Sequence, residues 1–179
     1  MSVPDIVTQR LQLRQRGLVD FDDCLRMDRD PDVTEFVKGP WNNPEQHSAF
    51  LTERMQTNYP DGLGYWTVRL LGYWTVRLKD ADQGFLGWIM LLPDDPDREC
   101  AEIGWRFNRK TWGKGYGTEA AKAVLEYAQT FLKLPRIFAE IDQRNIGSIR
   151  VAEKLGMLAV GRSTDAGQGD LVFVVEDKK

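Results

Sequence analysis

The run Trp112-Gly113-Lys114-Gly115-Tyr116-Gly117-Thr118-Glu119-Ala120 sets three glycines on alternate positions between a strand-like and a helix-like segment. Glycine lacks a Cβ and enters positive φ freely, so successive backbone N–H groups can face one concave space. At a helix start such a concavity suits phosphate, because unpaired amides and the helix dipole both favour an anion. A purely structural tight turn is the other reading of the same residues. Two nucleotide motifs fail on spacing. The Walker pattern requires Ser or Thr after the lysine, and Lys114 is followed by Gly115. The dinucleotide fingerprint GxGxxG opens an N-terminal βαβ unit, whereas this GxGxG comes late and after antiparallel strands.

Other reactive side chains are few. Asn145 and Ser148 form NxxS, which reads as a helix cap and its first turn. The lone histidine, His47, lies in the polar run NNPEQHSAF and is expected at the surface. Cys24 and Cys100 lack CxxC or metal-ligand spacing and are expected as reduced thiols; zinc has too few candidate ligands and no metal is expected. Lys and Arg (24) nearly balance Asp and Glu (27), a formal charge of −3, so nucleic acid is not an expected partner. The start MSVPDIVTQRLQLR has no apolar signal core and no stretch approaches a membrane span, so a cytoplasmic protein is expected.

The elements that must position these residues follow from periodicity. Thr8–Gln15 alternates and reads as a first strand. Asp20 is expected to cap a helix through Cys24, Leu25 and Met27, and a second short helix is expected over Asp32–Val37. Asn43-Pro44-Glu45 reads as a cap with proline at the first helical position, opening a helix through Phe50, Leu51 and Met55. Phe85–Leu92 and Glu102–Asn108 are strands, joined by an acidic loop, Asp94–Glu99. An apolar stripe of Ala121, Val124, Leu125, Ala128 and Leu132 predicts a helix over Thr118–Lys133. Arg136–Ile141, a helix over Ile146–Leu155 closed by Gly156, and strands Leu158–Arg162 and Leu171–Val175 complete the chain. The order predicts an α/β fold with a parallel strand pair around the long helix, in one domain over residues 1–179.

LGYWTVRL occurs twice without a spacer, at residues 63–70 and 71–78. Two copies of eight residues are too few and too short for a solenoid repeat. Each has strand chemistry, with Trp74, Val76 and Leu78 on one face of the second copy. The second copy is expected in the sheet, since the short link Lys79–Gly84 fixes its hairpin with the Phe85 strand, and the first copy is expected to be displaced.

From Thr8 to about Val175 the chain resembles the GNAT superfamily of acetyl-CoA-dependent N-acetyltransferases, and within it the Rim-type branch of ribosomal-protein N-terminal acetyltransferases. The resemblance rests on TQRLQLR at Thr8–Arg14, AEIGWRFNRKTWGKGYGTEA at Ala101–Ala120 and NIGSIRVAEKLGM at Asn145–Met157. It implies a mixed, mostly antiparallel twisted sheet splayed around acetyl-CoA, with flanking helices. It also implies that Trp112, Gly113, Lys114, Gly115, Tyr116, Gly117 and Thr118 hold the coenzyme A pyrophosphate, that a backbone N–H near Trp105, Arg106 and Phe107 bonds the thioester carbonyl, and that Asn145 meets the pantetheine arm. By the same resemblance Glu102 is the leading general base, Glu140 the second candidate, and Ser148 a proton donor near the sulfur. Many relatives carry a tyrosine acid on the last helix; Ile146–Met157 has none. The implied partners are acetyl-CoA and a primary amine, either a protein N-terminus or a small amine, with an acceptor wall built by Asp32–Tyr59 and the duplicated strand. The acidic Asp30, Asp32 and Glu35 there would favour a cationic acceptor, and a homodimer is compatible with the same reading. A non-catalytic acyl-CoA sensor on this fold is the alternative.

Overall fold

The structure, a computed structural model, describes residues 3–56, 72–80, 84–94, 100–163 and 169–176. Among these, eight strands form one sheet: β1 (Ile6–Val7), β2 (Leu11–Gln15), β3 (Gly72–Leu78), β4 (Phe85–Pro93), β5 (Cys100–Phe107), β6 (Arg136–Ile141), β7 (Leu158–Arg162) and β8 (Leu171–Glu176). Their order is β1-β2-β3-β4-β5-β6-β8-β7. Every pairing is antiparallel except β5 with β6, and the helix between those two, α4 (Tyr116–Thr130), is the crossover that a parallel pair requires.

Alternation along the strands divides the apolar residues between two faces. Trp74, Val76, Ile89, Ile103 and Ile137 join Val124 and Ala128 of α4 in the larger core cluster. Tyr73 and Trp88, of opposite parity, join Cys24 and Met27 of α1 (Phe21–Asp28) and Leu51 of α3 (Pro44–Gln56) in a second cluster. One face therefore carries α4; the other carries α1, the short α2 (Pro31–Thr34) and α3.

The expected second copy is in place: Gly72–Leu78 forms β3, paired with β2 and β4, and Leu78 N–H donates to Gly84 O at 3.0 Å, closing the hairpin. The first copy, with its expected displacement, lies outside the described residues, as does most of the acidic loop. Other expectations change. Thr8–Gln15 is not one strand: the chain turns at Thr8–Arg10, where Thr8 Oγ1 accepts from Leu11 N–H at 3.0 Å, and β1 precedes the turn. Asp20 precedes α1 but its side chain makes no cap bond; instead it accepts from Arg14 Nη2 at 2.6 Å and Arg77 Nη2 at 3.1 Å. The helix expected over Asp32–Val37 stops at Thr34, capped by Asp30 through Asp32 N–H. The α4 helix ends three residues before the expected Lys133, which takes a left-handed φ of 55°. His47 is buried at 1% exposure rather than on the surface, because its turn of α3 faces α1 and Trp41 stacks edge-on to its ring at 5.2 Å.

Candidate active site

Strands β5 and β6 separate soon after they meet. Their ladder consists of Cys100–Arg136, Ala101–Ile137 and Glu102–Phe138, yet β5 continues to Phe107 beside β4 and β6 to Ile141 beside β8. Beyond Glu102 the facing edges of the two strands no longer bond each other, so backbone donors and acceptors line a fork.

Glu102 marks the point of divergence. Ile137, Ala139 and Ile141 belong to the α4-side core, so Phe138 and Glu140 take the other face of β6, the face that Glu102 takes on β5 between buried Ala101 and Ile103. The structure thus puts the two candidate bases on one face across the fork. Burial pushes the Glu102 carboxyl up to about 7, with the negative charges of Glu140 and Asp94 adding to it and Arg54 of α3 opposing. A carboxyl so placed is ionised just above neutrality and remains basic enough to take a proton.

At the far end of β5 the glycine run makes the turn into α4. Gly113 and Gly115 have φ of 74° and 79°, the left-handed region, and Gly115 is the N-cap residue without a side-chain cap bond. A Cβ built on Gly113 would meet nothing within 4 Å, so its backbone faces open space. The first N–H groups of α4 lack partners within the helix, and with open space at Gly113 and the Arg10 guanidinium 3.5 Å from a Cβ built on Gly115 the turn fits a pyrophosphate. Trp112 holds the turn to the strand by donating its indole N–H to Phe107 O at 2.8 Å.

A second anchor for this turn was not legible in the sequence. Glu119, in the first turn of α4, accepts from Thr8 Oγ1 at 2.6 Å, Arg10 N–H at 3.0 Å and Arg10 Nε at 2.7 Å. Arg10 also donates to Lys114 O at 3.1 Å and lies over the Tyr116 ring at 4.5 Å. The β1–β2 turn thereby fixes both ends of the glycine run, and the bonded partners are more than a hundred residues apart in sequence.

Across the fork, α5 (Ile146–Lys154) presents Ser148, whose Oγ accepts the Trp105 indole N–H at 3.2 Å. Asn145 caps α5 as expected, its Oδ1 accepting from Ser148 N–H at 3.0 Å. The Arg106 side chain points to the opposite face, donating to Asp28 Oδ1 at 2.9 Å and lying 5.0 Å from both the Trp41 and Trp88 rings. His47 Nε2 stands 3.6 Å from the other oxygen of Asp28, which adds it to a buried polar cluster that periodicity could not reveal. The segment around α2 bridges the mouth of the fork: Asp32 pairs with Arg109 beyond β5 at 2.7 Å, and Phe36 lies 5.4 Å under Arg144 beyond β6. Asp30 and Asp32 are therefore already engaged, which weakens the expected pull on a cationic acceptor.

Among the described residues no helix is long and apolar enough to cross a membrane and no group of acidic, His or Cys residues could hold a metal ion. Residues 10–158 match the Acetyltransferase (GNAT) domain family. The chain is 32% identical over 157 residues to the uncharacterized protein YkkB of Bacillus subtilis, covering 85% of this chain and 84% of that one. It is 28% identical over 174 residues to the uncharacterized N-acetyltransferase p20 of Bacillus licheniformis, covering 94% and 92%. A crystal structure of a GNAT-family acetyltransferase from Bacillus anthracis superposes with a TM-score of 0.78 at 25% identity, covering 97% of this chain and 98% of that one.

Proposed function

The chain belongs to the GNAT acetyltransferase family and is an N-acetyltransferase; on that premise we propose that it moves an acetyl group from acetyl-CoA to a primary amine by direct attack, with Glu102 as general base. The observation that carries this reading is the fork between β5 and β6, with Glu102 at its apex and the glycine turn at its far end. Acetyl-CoA, when bound, supplies the thioester that the amine attacks. The backbone amides of Gly113–Thr118 bind its pyrophosphate, and Asn145 orients the pantetheine arm. The free edge of β5 over Trp105–Phe107 donates a backbone N–H to the carbonyl oxygen.

Glu102 takes the proton that the attacking nitrogen loses. An alkylammonium releases its proton near pH ~10, so a positioned carboxylate is needed to keep nitrogen reactive at neutral pH. Glu140 stabilises the protonated form of Glu102 by repulsion and is the second candidate base. Ser148 Oγ accepts from the Trp105 indole, which leaves its own O–H to donate to the departing thiolate. A thiol of pKa ~8.5 leaves readily, so this donor aids the step without being indispensable.

The motifs TQRLQLR and NIGSIRVAEKLGM, together with Trp112 ahead of the glycines, favour the Rim-type branch, and the acceptor is a protein N-terminus or a small amine. The alternative, a non-catalytic acyl-CoA sensor on this fold, would bind acetyl-CoA without amine-dependent thiol release. Acetyl-CoA titration by calorimetry followed by thiol release with an amine panel tests the proposal. Binding with amine-dependent release is expected; no binding at millimolar ligand would end it.

A further inference from the structure

Arg16, one residue beyond β2, extends the sheet by donating its N–H to Tyr73 O at 2.9 Å. Its side chain enters the layer beneath α1 and α3, with the guanidinium carbon 3.6 Å from the Tyr73 ring centroid and 5.6 Å from that of Trp88. The residue is only 7% exposed, and its Nη2 has no hydrogen-bond partner. Neighbouring arginines are neutralised at contact: Arg14 and Arg77 share Asp20, and Arg106 takes Asp28. Among the described residues no carboxylate pairs with Arg16; Asp28 acts on it only through space, as do Cys24 and, with opposite sign, Arg54.

A guanidinium cannot shed its proton to escape this burial, unlike a lysine. The ring faces return part of the lost hydration. They leave the Nη2 donors unmet, and the acceptor that bonds a guanidinium N–H most strongly is a carboxylate. Arg16 shares a face with Glu102. The cross-sheet row runs Arg16, Tyr73, Met90, Gly104, and Glu102 is the next residue of that face on β5. Arg54 acts electrostatically on both. The two backbones stand about three strand spacings apart, roughly 14 Å, of which both side chains take up part.

We infer that Arg16 recognises a carboxylate on the acceptor, so that the preferred substrate is an amine whose chain also carries a carboxyl group, such as an ω-amino acid or a short acidic peptide. The inference rests on the acetyl-transfer reading above. The test compares aminohexanoate and aminooctanoate with hexylamine and octylamine in a thiol-release assay. The wild-type protein should prefer at least one amino carboxylate by about tenfold or more in kcat/KM, expressed in KM. Arg16→Met should lower that value to the level of the alkylamines while raising Tm, because it removes an uncompensated buried charge. Arg16→Lys, which keeps the charge without the fork, should retain an intermediate preference and serves if the methionine variant does not fold. Equal use of both series by the wild type, or a preference that survives Arg16→Met, overturns the inference and leaves acetyl transfer standing. If no amine releases thiol, acetyl transfer itself fails. Arg16 is then judged by Tm: aminohexanoate must raise that of the wild type and not of Arg16→Met, and equal shifts overturn it.

Discussion

The Trp105 indole donates to Ser148 Oγ at 3.2 Å, joining β5 to α5 across the gap that opens once β5 and β6 part company. In the proposed reaction this bond orients the hydroxyl that donates to the departing thiolate. Ser148→Ala should lower kcat by about tenfold, less than the ~10²-fold or more of an indispensable acid, with little change in acetyl-CoA affinity. Steady-state kinetics beside calorimetry separate the two. A large loss of affinity with unchanged kcat would make Ser148 a binding residue instead.

Gly115 tests the cofactor turn. Its φ of 79° is costly for any residue with a Cβ, about 1–2 kcal/mol. The substitution Gly115→Ala should therefore destabilise the fold by about that amount and weaken acetyl-CoA at least tenfold, since the amides lose their aim. Thermal melting and calorimetry on the same sample read both effects.

Glu119 and Glu102 should respond to pH with opposite signs. Burial alone would raise the Glu119 carboxyl, but the bonds from Thr8 and Arg10 outweigh it and hold the group below its ordinary value. Its contribution is present above the unfolded pKa and is lost as pH falls through the folded one. Glu119→Gln should cost about 1–2 kcal/mol at neutral pH, a deficit that shrinks in acid. Glu102, raised from 4.5 to about 7, binds its proton more tightly in the folded state. Stability therefore declines as pH rises from 4.5 to about 7, and the penalty is complete above that window. Glu102→Gln should be more stable than the wild type above neutrality, by up to about 3 kcal/mol, and equal to it in acid. Denaturation curves across pH check both signs.

The duplicated strand yields a deletion. Removing residues 63–70 leaves one intact LGYWTVRL for β3, and shortening a connection changes loop entropy by less than about 1 kcal/mol. The shortened protein should fold, bind acetyl-CoA and keep its Tm within a few degrees. Loss of the fold would show that the first copy contributes to the core.

What the sequence disclosed was local. The Asn43-Pro44 start of α3, the Asn145 cap, the Gly156 stop and the bounds of β6 follow from signals within a few residues of the feature they predict. The features it hid depend on partners far away in the chain. Thr8 looks like part of a strand until Glu119, 111 residues on, draws it into a turn. His47 sits in a polar run and is buried only because Trp41 and Asp28 close over it. The position of Glu102 at the fork is likewise a consequence of where two strands stop bonding, which no residue pattern states.

The role of Glu102 is read most directly from the pH dependence of thiol release by the wild type and by Glu102→Gln with one amine acceptor. The ratio of their kcat/KM values cancels the ionisation of the amine and isolates Glu102. With Glu102 as the base the ratio is about 10²–10⁴, flat above pH about 7 and falling tenfold per unit below it. A ratio near one, or one that does not change with pH, would contradict Glu102 as the base.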